Sequence, residues 1–141
     1  MPPDPGVVLD TSALVAYARS DMRSFPVDEL LREMREDTGA AVLIPELALV
    51  DARWVLHDEK DALERLDNFA AAHGTHGGED PGLVATVRLL VAEAGVSQGM
   101  AHAMLLAGMT RSELATYSAP TLAAAGFEMR TVLDLDEFFQ G

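Results

Sequence analysis

Val7-Val8-Leu9-Asp10-Thr11-Ser12-Ala13-Leu14 is the stretch whose reading decides the fold. Three apolar residues, two of them β-branched, suit a short buried strand. Asp10 ends that run, and Thr11-Ser12-Ala13-Leu14 starts a helix over about 12–18. An aspartate at the carboxyl end of a strand, where a helix begins, stands where open α/β sheets hold their ligand groups. The bland alternative is a helix N-cap, a side-chain oxygen that accepts from the first free backbone N–H groups.

Outward from this point, strand and helix signals alternate. Phe25-Pro26 opens a second helix, with Asp28 and Glu29 in its first turn, Leu30, Leu31 and Met34 on one face, and Gly39 as its stop. Residues 41–44 read as strand 2. Pro45-Glu46 begins a helix whose expected apolar stripe is Leu47, Val50 and Trp54. Another helix covers about 61–72, and the segment 73–78, with His73 and His76 among glycines, reads as a surface loop. Asp80-Pro81 caps a helix that ends at Gly95, and Ser97 caps one that runs to about Ala107. Residues 114–117 form strand 3, Ala119-Pro120 opens a short helix closed by Gly126, and 127–132 form strand 4. Asp134, Asp136 and Glu137 read as a solvated C-terminal turn. The order predicts a single α/β domain over 1–141, three layers deep (α/β/α), around a central parallel sheet of about four strands. Right-handed crossovers then place every strand's carboxyl end on one side of the sheet.

Composition narrows the chemistry. The chain has 141 residues, 49% of them apolar, enough for an ordinary core. No window approaches the roughly 18 apolar residues of a membrane span, and the start shows no secretory signal. With no cysteine, thiolate zinc sites, disulfides and cysteine catalysis are excluded, and a cytoplasmic setting is expected. Ten basic residues against 23 acidic ones give a formal charge of −13, with Lys60 the one lysine and the arginines scattered. Such a surface repels nucleic-acid phosphates, and suits a basic protein partner better.

Three positions stand out as candidates for a common site. Asp10 ends strand 1, Asp51 lies about a turn and a half into the helix after strand 2, and Ser118 follows strand 3. Parallel strands would let them converge, with Ser12 beside Asp10. Two carboxylates and hydroxyls make an oxygen-rich set that suits Mg2+ or Mn2+ rather than zinc. Each has a plainer reading: Asp51 a solvated residue near Arg53, Ser12 a helix N-cap, Ser118 a cap for the Pro120 helix. Glu46 competes with Asp51 but equally suits the positive end of its helix. His102 is a buried histidine or a base or phosphate contact near the site.

The opening Val7–Ser12 motif, the stretch Ile44-Pro45-Glu46-Leu47-Ala48-Leu49-Val50-Asp51-Ala52, and Met100-Ala101-His102-Ala103 leading to Leu114-Ala115-Thr116-Tyr117-Ser118 resemble the PIN-domain family. Many members are small metal-dependent ribonucleases, including toxins of the VapC type. The resemblance implies acidic residues gathered around Mg2+ or Mn2+, with Asp10 matching the first and Asp51 the second, a position usually held by glutamate. The third and fourth acids fall at Gly99 and Ser118, and Ser12 matches the hydroxyl beside the first. The resemblance therefore implies weak metal binding by Asp10 and Asp51, with Ser12 and Ser118 alongside, and an endoribonuclease toxin whose activity is low or lost. It further implies a homodimer, RNA as substrate if active, and an antitoxin-like protein as partner. The rival reading is an inactive PIN-fold protein-binding module. A haloacid-dehalogenase-type phosphatase would need an acid where Ser12 stands, and a phosphoreceiver would need a lysine after a late strand.

Overall fold

A computed structural model describes residues 6–36, 40–77 and 80–139. Four parallel strands form one sheet in the order β2-β1-β3-β4: β1 (Val7–Leu9), β2 (Val42–Leu43), β3 (Glu113–Thr116) and β4 (Val132–Asp134). The helices are α1 (Thr11–Arg19), α2 (Phe25–Glu36), α3 (Glu46–Val55), α4 (Lys60–His73), α5 (Pro81–Ala94), α6 (Gln98–Thr110) and α7 (Ala119–Ala124). The predicted α/β architecture is therefore present, with helices on both faces of the sheet. No single helix among the described residues is long and apolar enough to cross a membrane.

The central strand shows why the sheet is covered twice. Val7, Val8 and Leu9 are all buried, and successive side chains leave opposite faces. Val7 and Leu9 join the core formed with α1 to α4. Val8 joins Leu114 and Leu122 in the core under α5 and α6. The strand register pairs Leu9 with Ala115 and Thr116 with Asp134, so β1 and β3 finish side by side. That alignment brings Asp10 against Thr116.

Three expectations need correction. Of the expected stripe Leu47, Val50 and Trp54, only Leu47 packs against the core, and it is partly buried. Ala48, Leu49 and Ala52 are the buried residues of α3, while Val50 is 44% and Trp54 77% exposed. The small residues face inward because α6 packs close against α3; a tryptophan on that side would hold the helices apart. Truncating Trp54 to alanine should thus change stability by no more than about 0.5 kcal/mol in a urea titration, against roughly 3 kcal/mol or more for a core aromatic.

The last strand is Val132–Asp134, not 127–132, because Met129–Thr131 closes into a 3-10 turn whose Arg130 N–H donates to the Glu128 carboxylate (3.4 Å). Asp134 accordingly ends a strand, and its Oδ1 accepts from the Asp136 N–H. The segment 73–78 is not a plain loop over its described part: His73 closes α4, and His76 makes a parallel bridge to Pro45. Gly39, expected as the stop of α2, lies outside the described residues, as does Gly78.

Candidate functional site

Asp10 stands at the N-cap of α1, and its side chain accepts from the Ala13 N–H (3.0 Å). The cap role and the site role therefore coincide in one residue, and Ser12 is not the cap. Ser12 Oγ donates to Asp10 Oδ1 (2.7 Å) and accepts from the Tyr117 N–H (2.9 Å). Thr116 Oγ1 donates to Asp10 Oδ2 (2.5 Å) and accepts from the Ser118 N–H (2.8 Å). This network ties the end of β1 to the end of β3. Asp10 is fully buried. Burial pushes its carboxyl above the ordinary 3.8, and the bonds from Thr116, Ser12 and Ala13 only partly counter that.

A cleft of about 540 Å³ opens over these residues. Asp10, Ser12 and Ser118 line it, together with apolar Val96 and Met100 and the cations Arg19 and Arg23 on its rim. Each of those arginines is already paired, Arg19 with Glu59 (2.9 Å) and Arg23 with Asp136 (3.8 Å). Ser118 holds the N-cap position of α7 without a side-chain cap bond, contrary to the plain capping expectation.

Asp51 is engaged by α6. Its Oδ1 accepts from Gln98 Nε2 (3.0 Å) and its Oδ2 from the Gly99 N–H (2.9 Å). The carboxylate thus sits at the amino end of α6, where the helix dipole favours it, and Asp51 is not among the cleft-lining residues. The structure brings Asp10, Ser12 and Ser118 to one cleft and assigns Asp51 to the first turn of α6.

Gly99 explains the arrangement. A Cβ there would lie inside contact distance of Thr11 Oγ1, 2.7 Å from Asp51 Oδ2 and 2.9 Å from the Ala48 Cα. Two of those neighbours are a short side chain and a backbone atom, which cannot swing away. Position 99 therefore has no room for any side chain, and its N–H holds the Asp51 carboxylate. Among the described residues no group of three or more His, Asp or Glu is placed to hold a metal ion. Mg2+ binding normally takes one or two carboxylates with room for several waters. Two carboxylates line the cleft: Asp10 is enclosed and already accepts three hydrogen bonds, and Asp21 caps the turn Met22–Ser24, its Oδ1 accepting from the Arg23 N–H (2.9 Å). As placed, the fully buried Asp10 carboxylate lacks the open, water-accessible face that Mg2+ prefers.

His102 is not at the cleft. It is fully buried on α6, its Nδ1 accepts from the Leu47 N–H (3.1 Å), and its Nε2, facing Gly77, has no partner among the described residues. The acceptor role at Nδ1 requires the neutral ring, and burial and nearby His76 push the pKa below 6.5. The native protein therefore binds this proton less readily than the unfolded chain. The stability contributed is present above pH 6.5 and lost as the pH falls through the lowered value. Thermal melts should show this acid-side decline, and His102→Asn should flatten it.

Sequence reasoning missed Thr116 as the second anchor of Asp10 and Thr11 as a neighbour of Gly99. Both were legible in part: Thr116 ends a strand next in the sheet to β1, and Thr11 follows the key aspartate.

The fold and the cleft define a three-layer α/β/α domain with polar groups gathered at the carboxyl ends of β1 and β3. The same fold occurs in a solved structure, that of PAE2754 from Pyrobaculum aerophilum, with a TM-score of 0.62 and 20% identity over 96% of this chain and 95% of that one. At that identity the likeness concerns the fold alone. No protein-family model matches the chain, and no curated protein matches its sequence.

Proposed function

We propose that this chain is a PIN-like domain, of the VapC toxin type by resemblance, that recognises a protein partner and does not cleave RNA with Mg2+ or Mn2+. The carrying observation is Gly99. The position that the resemblance assigns to an acid is filled by helix packing, and the neighbouring carboxylate of Asp51 is used as a helix-end ligand. The charge of −13 supports the same reading, since one lysine and scattered arginines do not offset phosphate repulsion.

The partner surface in this reading is the outer side of α3, where Val50, Trp54 and Val55 are exposed. Acidic Asp58 and Asp61 lie just beyond it in the chain. A cationic peptide with apolar anchors, such as a segment of an antitoxin-like protein, complements both features. A homodimer is part of the proposal too. A chain this acidic can meet its own copy most easily where charge is sparse, and residues 81–110 carry only Arg88 and Glu93.

RNA cleavage with Mn2+ or Mg2+ added, measured beside an Asp10→Ala variant, tests the central statement. No cleavage above that of the variant is expected. Cleavage that Asp10→Ala abolishes would overturn the proposal in favour of the ribonuclease toxin. Light scattering should give twice the chain mass. A basic amphipathic peptide should shift Trp54 fluorescence in low salt and release as salt screens the attraction.

A further inference from the structure

A second cavity, of about 510 Å³, lies at the amino end of β2, the opposite end of the sheet from Asp10. It is bounded by the carboxyl-terminal halves of α2 and α4 and by residues 40–42. Its floor is apolar, from Leu31, Met34 and Phe69. One wall is a run of rings: Tyr17 against Phe69 with centroids 4.3 Å apart, and Phe69 against His73 at 4.5 Å. Besides the Tyr17 phenol, Arg35, Asn68 and His73 are the polar lining residues, and those three are exposed to solvent.

The charge is the unusual part. The protein carries a large excess of acid, yet this cavity is lined by a guanidinium and an imidazole, with no carboxylate among its described lining residues. Arg35 makes no ion pair among the described residues, as is true also of Arg65, Arg88 and Arg111, whereas Arg19, Arg23, Arg32, Arg53 and Arg130 are paired. Arg35 and His73 lie close enough to repel: the arginine, after burial, holds the histidine below its ordinary pKa. Helix dipoles account for a cation in the last turn of each helix. They do not account for two such ends converging over an apolar hollow of ligand size.

We propose that this cavity binds a small organic anion bearing a planar ring, the ring against Phe69 and His73 and the anionic group on Arg35. Asn68 adds a donor and an acceptor at the ring edge. Guanidinium pairs well with either carboxylate or phosphate, so an aromatic carboxylate and a nucleoside monophosphate share the required chemistry. The site is separate from the Asp10 cleft, and its existence does not depend on the partner-binding reading.

Titration calorimetry of the full chain with adenosine monophosphate, benzoate and inorganic phosphate tests it. At least one of the two ring-bearing anions should bind in the millimolar range or tighter, and which of them does identifies the source. Phosphate alone should bind more weakly. Arg35→Gln should lower the affinity roughly tenfold or more. Arg88→Gln, which removes a cation outside the cavity, should leave it unchanged. Both sites of substitution are exposed, and matching thermal melts would show that the fold is kept. The proposal is overturned if no ring-bearing anion binds, if phosphate binds as tightly as they do, or if Arg35→Gln has no more effect than Arg88→Gln.

Discussion

Gly99→Asp should unfold the protein or cost it at least about 3 kcal/mol, and should not create a nuclease. The substitution looks like a repair, because it supplies an acid at the position where the PIN resemblance puts one. Its packing says otherwise. The new Cβ would meet Thr11 Oγ1, Asp51 Oδ2 and the Ala48 Cα at distances under 3 Å, and overpacking of a tight contact alone costs about 1–3 kcal/mol. The added carboxylate would also enter a buried position beside the Asp51 carboxylate, with like charge and little water. Gly99→Ala isolates the first part: it has the clash without the charge and should lose about 1–3 kcal/mol. Urea titration of both variants reads these costs. A Gly99→Asp protein as stable as its parent, and newly able to cleave RNA with Mn2+, would show that α6 can move aside and that the site is a nuclease centre one residue short.

Asp10→Asn should be at least as stable as the parent at neutral pH, while Asp10→Ala should lose about 2–4 kcal/mol. Alanine removes the α1 cap, worth about 1 kcal/mol, and strands the hydroxyls of Ser12 and Thr116 in a buried place at about 1–3 kcal/mol. Asparagine keeps an oxygen for the Ala13 N–H and Ser12, and turns an N–H toward Thr116, whose own proton can pass to Ser12 Oγ at 3.3 Å. What asparagine removes is the cost of burying a charge. The folded pKa of Asp10 lies above the unfolded 3.8. Its favourable contribution is thus fully present below pH 3.8 and is lost as the pH rises through the folded value. Thermal melts across the acid range should show the two proteins converging at low pH and Asp10→Asn gaining as the pH rises. A variant that falls below its parent as the pH rises would mean that the ionised carboxylate is held favourably, as a metal ligand would be.

The pattern of apolar runs, caps and breakers was enough to place seven helices and four strands in order, since each of those signals is local. The strand Val7–Leu9 is buried on both faces and could be nothing else, and Asp80 and Ser97 cap their helices as their residue types require. The candidate site was half legible: that Asp10 would stand at the end of β1 follows from the chain around it. Which way Asp51 turns does not, because Val50 and Trp54 lie at the same helical spacing as Ala48 and Ala52, which are buried. The choice between those two faces was made by volume, with Ala48, Ala52 and Gly99 allowing α3 and α6 to approach and leaving Trp54 in solvent. Sequence alone determined that an aspartate would stand where a parallel strand ends and a helix begins. Only the tertiary structure decided what that aspartate meets. Its partner Thr116 is 106 residues away, and the acid expected beside it is held by a backbone N–H that close helix packing puts within reach.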